Sequence, residues 1–149
     1  MKQKILLPAL LLFAAALLCA CGQQSYGPAP DLDGHWTQVN PPDNFYQTAI
    51  VSGDRIEVFW HITQDNSYYL YWSGSFDPPP DGKEPYTWES KINLARAQTD
   101  PHCRREDAMT FVYKNGQIIF VQLQGRVRMG VALEKDADPQ KANTPQPAA

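Results

Sequence analysis

Cysteine and histidine are the residue types in this chain best suited to metal or nucleophilic chemistry. The histidines at 35, 61 and 102 form neither an H-x-H nor an H-E-x-x-H motif. His102 and Cys103 are adjacent, but the sequence supplies no second pair of ligands for a zinc site. Neighbouring side chains of an extended chain point apart, so His102 is badly placed to activate Cys103 as a nucleophile. We therefore expect no metal and no cofactor.

Other catalytic signals are missing as well. The chain has no G-x-S-x-G, phosphate-loop or dinucleotide-binding motif. Asp81, Glu84 and Glu89 lie near a proline-rich segment, where solvated loop acids explain them better than a catalytic carboxylate pair. We predict that the protein is not an enzyme.

The N-terminus has the organisation of an exported precursor. Lys2 and Lys4 form a short basic region, and residues 5–20 carry no charge and are dominated by Leu and Ala. This apolar run is shorter than the ~20 residues that a membrane-spanning helix requires. We predict that residues 1–20 form a helical signal peptide that is removed.

The apolar run ends in L-C-A-C-G at 18–22, which resembles the lipobox of bacterial lipoproteins. The resemblance implies cleavage before Cys21 and acylation of its thiol and amine by chains such as palmitate. Cys19 fits poorly, because bulky leucines would occupy the two positions before it. Two or three acyl chains give stable membrane attachment. We expect a lipid anchor in the bacterial cell envelope. Gly22 is not the Asp of an inner-membrane retention signal, so in a host with two membranes we expect the outer one.

Composition divides the rest of the chain into three parts. Residues 21–31 are rich in Gly, Gln, Ser and Pro and predict a flexible tether. Residues 136–149 combine prolines, alanines and polar residues and predict a disordered tail. The folded domain is then 32–135. Without residues 1–20 the chain has 16 acidic and 11 basic residues, a net charge of −5, which argues against nucleic acid as a partner.

Cys103 is the one cysteine outside the N-terminal region. In an exported chain a single cysteine indicates a free thiol or an intermolecular pair. The neighbouring residues His102, Arg104 and Arg105 would favour a lowered thiol pKa. We favour the other interpretation, a partly buried, inert thiol.

Residues 32–135 show the period-two alternation of β-strands almost throughout. Asn115-Gly116 is the strongest hairpin signal, since both residues tolerate positive φ. Only residues 94–108 lack the pattern, and there a short helix is interrupted by Pro101. About eight short strands predict an all-β fold, a small antiparallel barrel whose closure removes exposed edges.

Two resemblances support this fold. The L-D-G-H-W segment at 32–36 resembles the G-x-W opening of lipocalin-type (calycin) barrels. That resemblance implies that Trp36 closes one barrel end under an arginine of the last strand, for which Arg126 and Arg128 are placed. The motifs A-I-V-S-G-D-x-I-E-V-F-W, Y-W-S-G-S-F, Y-T-W and F-V-Y-K-N-G-Q-I are similar to those of small uncharacterised bacterial lipoproteins, chromosomal or prophage-type. The segment 100–105 departs from that pattern.

The aromatic content points to binding. Strict alternation would place Tyr69, Tyr71, Ser73 and Ser75 on one strand face, a possible binding surface, because Tyr combines apolar area with a hydroxyl. Several large Trp at inward positions argue against a roomy cavity. We predict a non-catalytic binding module for an envelope, phage or secreted protein. The alternative is a lipocalin-like binder of a small apolar ligand, which requires an internal cavity of about 300 Å³ or more.

Overall fold

The structure, a computed structural model, describes residues 25–137. The predicted signal peptide, Cys21 and all but the first two residues of the predicted tail lie outside the described residues. Within the described range, no helix has the length and apolar character needed to cross a bilayer.

Eight strands and one short helix make up the domain. In chain order they are β1 (Gly34–Gln38), β2 (Phe45–Ser52), β3 (Arg55–Ile62), β4 (Ser67–Ser75), β5 (Tyr86–Ile92), α1 (Leu94–Ala97), β6 (Ala108–Lys114), β7 (Gln117–Gln124) and β8 (Val127–Lys135). Each strand pairs antiparallel with the next, and β8 pairs with β1 to close a barrel. The predicted all-β, eight-stranded antiparallel barrel is confirmed.

The strand order defines two barrel ends. The first, which we call the tether end, carries the start of β1, the β2–β3 and β6–β7 turns, the β4–β5 loop and the end of β8. The other, the far end, carries the β1–β2 loop, the β3–β4 and β7–β8 turns and residues 93–107. The predicted turn at Asn115-Gly116 is present, with φ values of 52° and 77°.

Aromatic side chains fill the barrel. Trp72 is fully buried in the middle of the core, and the rings of Trp88 and Phe111 stack beside it with centroids 5.5 Å apart. Nearer the far end, the buried amide of Gln47 on β2 donates to the Gln122 side chain on β7, across the barrel. This packing is what a small barrel requires, since its interior has room for little more than its own side chains.

The ladder between β4 and β5 is the shortest in the barrel. Only Gly74 with Ile92 and Ser75 with Lys91 are paired. The remaining length of β4 is covered by residues 93–107, which we call the seam segment. It begins with Asn93, whose side chain caps α1 by accepting from the backbone N–H three residues on.

Backbone groups of β4 that β5 does not reach are satisfied by the seam segment. Three hydrogen bonds do this: Asn93 N–H to Ser73 C=O (2.8 Å), Leu70 N–H to the Asp100 carboxylate (2.8 Å) and Arg104 N–H to Tyr71 C=O (3.0 Å). A small second core of Leu70, Ala97 and Cys103 lies beneath the segment. The segment 100–105, which departs from the lipoprotein pattern, therefore completes the barrel wall.

Candidate functional site

The four residues expected to form one exposed face are distributed over different environments. Tyr71 is 4% exposed, and its ring packs against Trp60 in the core. Ser73 is 3% exposed, and its hydroxyl donates to Glu57. Ser75 is exposed and Tyr69 is half-buried. The predicted common binding face is therefore not formed.

A β-bulge explains this outcome. The pairing of β3 with β4 shifts register after Val58, so that Trp72 and Leu70 face successive β3 residues and Tyr71 is the extra residue. An extra residue breaks the period-two alternation and re-aims the side chains around it. Tyr71 thereby joins Trp72 in the core, and Leu70 points instead to the second core under the seam segment.

Tyr71 also connects the seam segment with the opposite wall. Its hydroxyl accepts from Arg104 Nη1 (2.9 Å) and from the backbone N–H of Leu123 on β7 (3.4 Å). The guanidinium of Arg104 lies 5.7 Å from the Tyr71 ring centroid and pairs with Glu106. The hydrogen bond from Arg104 holds the pKa of the Glu106 carboxyl below its usual range. These contacts close the barrel interior at the far end.

The Cys103 thiol lies in the second core and is 5% exposed. Burial, reinforced by the Asp100 carboxylate, raises the pKa of this thiol above its usual value, although Arg96 and Arg105 oppose the shift. The neighbouring positive charges stabilise the thiolate, but burial destabilises it by more. Of the two interpretations that the sequence left open, the structure thus favours the inert thiol.

We expect Cys103 in the folded chain to react with a maleimide at neutral pH at least about a hundredfold more slowly than a free cysteine, since both access and thiolate fraction are reduced. Mass spectrometry of a soluble form beginning at Gly22 measures this rate. The same protein in denaturant is the control and should be labelled at the ordinary rate. Rapid labelling of the native form would contradict the inert assignment.

Trp36 lies at the tether end as the G-x-W resemblance implies, but the expected arginines do not. It is 2% exposed, and its indole N–H donates to the Leu32 carbonyl (2.9 Å). Its Cα partner on β8 is Lys135, which lies seven residues, about 23 Å of strand, from Arg128. Among residues 25–137, no cation–ring contact joins Trp36 to Arg126 or Arg128. Both arginines are exposed at the far end.

Lys135, rather than an arginine, is the β8 residue paired with Trp36. Its ammonium donates to the Asp31 backbone carbonyl (2.9 Å) and carboxylate (3.0 Å), and its stem passes close over Gly34. Gly82 N–H donates to the Gly27 carbonyl (2.8 Å). The described part of the predicted tether, residues 25–31, is therefore attached to the tether end of the barrel.

An aromatic row lies on the outside of the far end, and we call it the aromatic ladder. Tyr46 on β2, His61 on β3 and Tyr68 on β4 are cross-strand partners. The rings of Tyr46 and His61 stack at 4.5 Å, and those of His61 and Tyr68 lie 6.0 Å apart. The Tyr68 ring also contacts Phe59 edge-on, with centroids 6.3 Å apart, and the residue is 40% exposed.

The ladder is uncharged at its centre and acidic at its rim. Burial lowers the pKa of His61, and its Nε2 lies 2.9 Å from the Thr48 hydroxyl, so the imidazole is neutral at pH 7. Asp43 and Asp65 are exposed on the adjoining loops. The hydroxyl and N–H of Ser67 bond the Asp65 carboxylate and lower its pKa, which keeps it ionised. The site offers ring edges, hydroxyls and two carboxylates.

Sequence reasoning did not find the ladder, although a signal for it was present. The Ser52-Gly53-Asp54 turn sets the β2–β3 register, and counting back from it places Tyr46 opposite His61. Counting across the next turn places His61 opposite Tyr68. Alternation within a single strand does not reveal the ladder, because cross-strand register is what brings these rings together.

The fold places the protein in the class of closed eight-stranded antiparallel β-barrels. No protein-family profile, curated protein or solved structure matches this chain. Within the described residues, no cluster of three or more His, Cys, Asp or Glu side chains is arranged to hold a metal ion.

Proposed function

We propose that this protein is a membrane-anchored, non-catalytic binding module of the lipoprotein type, which holds a protein partner of the cell envelope at its aromatic ladder. The observation that carries the proposal is the position of the ladder. It lies on the outer surface at the far end, opposite the end where residues 25–31 attach.

An anchor at Cys21 would orient the barrel. Gly27 is held at the tether end, and six residues extended span at most about 20 Å. The tether end would then face the membrane, and the ladder would be presented away from it. This arrangement suits the recruitment of a protein better than contact with the lipid surface.

The interior supports a surface role rather than the alternative of a small apolar ligand. The middle of the barrel is occupied by Trp72, Trp88 and Phe111. The part nearer the far end contains the buried side-chain amides of Gln47 and Gln122. Gln47 Oε1 and Gln122 Nε2 have no hydrogen-bond partner there, and an apolar ligand would supply none.

The chemistry of the ladder indicates what the partner presents. Tyr rings next to carboxylates form favourable contacts with Lys and Arg side chains, which combine an apolar stem with a charge. Asp43 and Asp65 supply the opposite charge at the rim. We propose a partner surface that carries basic and apolar side chains.

The test compares two tyrosines of equal exposure. Tyr68 is 40% exposed in the ladder, and Tyr26 is 39% exposed at the tether end. The full-length chain in detergent micelles serves as bait for envelope proteins, and the affinity of any captured protein is then measured with purified components. We expect Tyr68→Ala to weaken binding about tenfold and Tyr26→Ala to leave it unchanged.

Charge supplies an independent control. Asp65→Asn should slow association and reduce its dependence on salt, with little change in dissociation, because rim charges act mainly on the encounter rate. A captured protein that binds the Tyr68→Ala chain as tightly as the native one would refute the ladder as its site. Equal losses in Tyr68→Ala and Tyr26→Ala would do so as well.

A further inference from the structure

A second surface lies on the outside of β6, β7 and β8. Its outward residues are apolar and adjacent across the strands: Val112, Ile119, Val121, Leu123, Gly130 and Ala132. We call these six residues the apolar face. Val121 is 52% exposed and Leu123 is 41% exposed. Exposed apolar side chains that adjoin in this way mark an interaction surface.

The apolar face lies on the side of the barrel opposite the aromatic ladder. In the closed ring of eight strands, β7 is four strands away from β3 in either direction. The central residue of the ladder, His61, is on β3, whereas Ile119, Val121 and Leu123 are on β7. A surface that covers the apolar face therefore leaves the ladder pointing away from it.

The charge around the apolar face differs in sign from that of the rest of the domain. Residues 108–133, which form β6, β7 and most of β8, contain Lys114, Arg126 and Arg128 and no Asp or Glu. The other described residues include 15 acidic and 7 basic ones. Both arginines are exposed, and neither forms an ion pair within the described part of the chain. This side of an otherwise acidic barrel is therefore complementary to an anionic surface.

The length of the tether lets this side of the barrel reach the membrane. Gly27 is held at the tether end, and the six residues from the predicted lipid site at Cys21 span at most about 20 Å. This reach limits the height of the tether end above the membrane, but it leaves the tilt of the barrel free. A barrel that lies along β7 keeps its tether end at the membrane and still presents the ladder away from it.

We infer that the apolar face rests on the anionic lipid surface of the membrane that holds the anchor. The inference rests on the anchorage of the proposed function, and it turns the barrel from its tether end onto its side. The aliphatic side chains enter the boundary between headgroups and acyl chains, while Arg126 and Arg128 pair with lipid phosphates. The six residues of the face carry no side-chain hydrogen-bonding group through which a particular protein would be recognised.

Vesicle binding by a form without the lipid site tests this contact. A chain beginning at Gly22 retains the whole closed barrel of residues 25–137 and lacks Cys21, so no acyl chain contributes to its binding. Co-sedimentation measures its affinity for phosphatidylcholine vesicles with and without phosphatidylglycerol. We expect affinity for the anionic vesicles to be at least about tenfold higher at low salt and to fall as salt is added.

Substitutions then locate the contact on the barrel. Val121→Asp should weaken binding to the anionic vesicles at least about tenfold, since it replaces an apolar contact by a charge that lipid phosphates repel. Ile50→Asp is the matched control, because it adds the same charge at an exposed apolar residue of β2, outside the face, and should cost at most about twofold. Arg126→Ala and Arg128→Ala should each cost about fivefold. The arginine variants keep the test valid if Val121→Asp fails to fold.

Three results would each overturn the inference: no binding to the anionic vesicles at low salt, equal binding to anionic and neutral vesicles, or equal losses in Val121→Asp and Ile50→Asp. A purified envelope protein whose binding is abolished by Val121→Asp and kept by Ile50→Asp would assign the face to a protein instead.

Failure of the proposed function gives a different pattern of results. The full-length chain would then carry no acyl group by mass spectrometry, or Tyr68→Ala would bind the captured partner as tightly as the native chain does. Neither result changes the vesicle binding of the form that begins at Gly22, because that form contains no lipid site and binds through the opposite side of the barrel from Tyr68.

Discussion

Gly74→Ala is expected to lower the free energy of unfolding by about 3 kcal/mol. A Cβ on Gly74 would lie 2.4 Å from Ser90 Oγ and 2.5 Å from the Lys91 carbonyl oxygen. The carbonyl belongs to the backbone of β5, so it moves only if the strand moves. Gly74 with Ile92 is also one of the two residue pairs that join β4 to β5. The substitution therefore opens the barrel where its ladder is shortest.

Gly130→Ala is the matched control for this prediction. It changes the same residue type in another strand of the barrel, at a position where the added methyl group meets nothing within 4 Å. We expect it to be neutral or stabilising by up to about 1 kcal/mol. Urea unfolding of a soluble form beginning at Gly22, followed by tryptophan fluorescence at low protein concentration, measures both. Equal midpoints for the two variants would contradict the steric argument.

Trp36→Ala is expected to cost about 3–5 kcal/mol, because it removes a nearly fully buried indole from the tether end of the core. It also leaves the Leu32 carbonyl without its donor and so loosens the segment through which the tether enters the barrel. Trp36→Phe keeps most of the ring contacts and loses the N–H, for which we expect about 1–2 kcal/mol. The same urea titration measures both changes.

Substitutions of Arg126 and Arg128 test whether an arginine stacks on the Trp36 ring. If an arginine stacked on this ring, Arg126→Ala combined with Arg128→Ala would destabilise the barrel. In the structure both lie at the far end and are exposed, so we expect the double variant to change stability by less than about 0.5 kcal/mol. Lys135→Ala should have the larger effect, since it removes the contacts with Asp31. The reverse order would support the sequence-based assignment.

Local patterns predicted the fold well because they act over short distances. Alternation across residues 55–62 and the Asn115-Gly116 turn identified strands and a hairpin that the structure contains. Each of these inferences depends on the chirality and pleat of a single strand or turn, which a short stretch of sequence specifies.

The candidate site was predicted poorly, because it depends on relations between strands. One extra residue at Tyr71 moved two of the four expected surface residues out of a common face. The lack of a strand pattern in residues 94–108 gave no indication that the seam segment would bury Cys103 and complete the wall beside β4. The β8 residue that pairs with Trp36 is determined by the register in which β8 meets β1 when the barrel closes. That residue is Lys135 and not an arginine.

The sequence by itself determined that the described part of the chain forms antiparallel strands with an apolar, aromatic interior, because turn chemistry and alternation are local. Tertiary structure alone decided which aromatic rings meet outside the barrel. Tyr46, His61 and Tyr68 are distant along the chain and become neighbours through the register of two hairpins. Register, bulges and closure are set by the packing of the whole barrel, and that packing determines which side chains remain available for a partner.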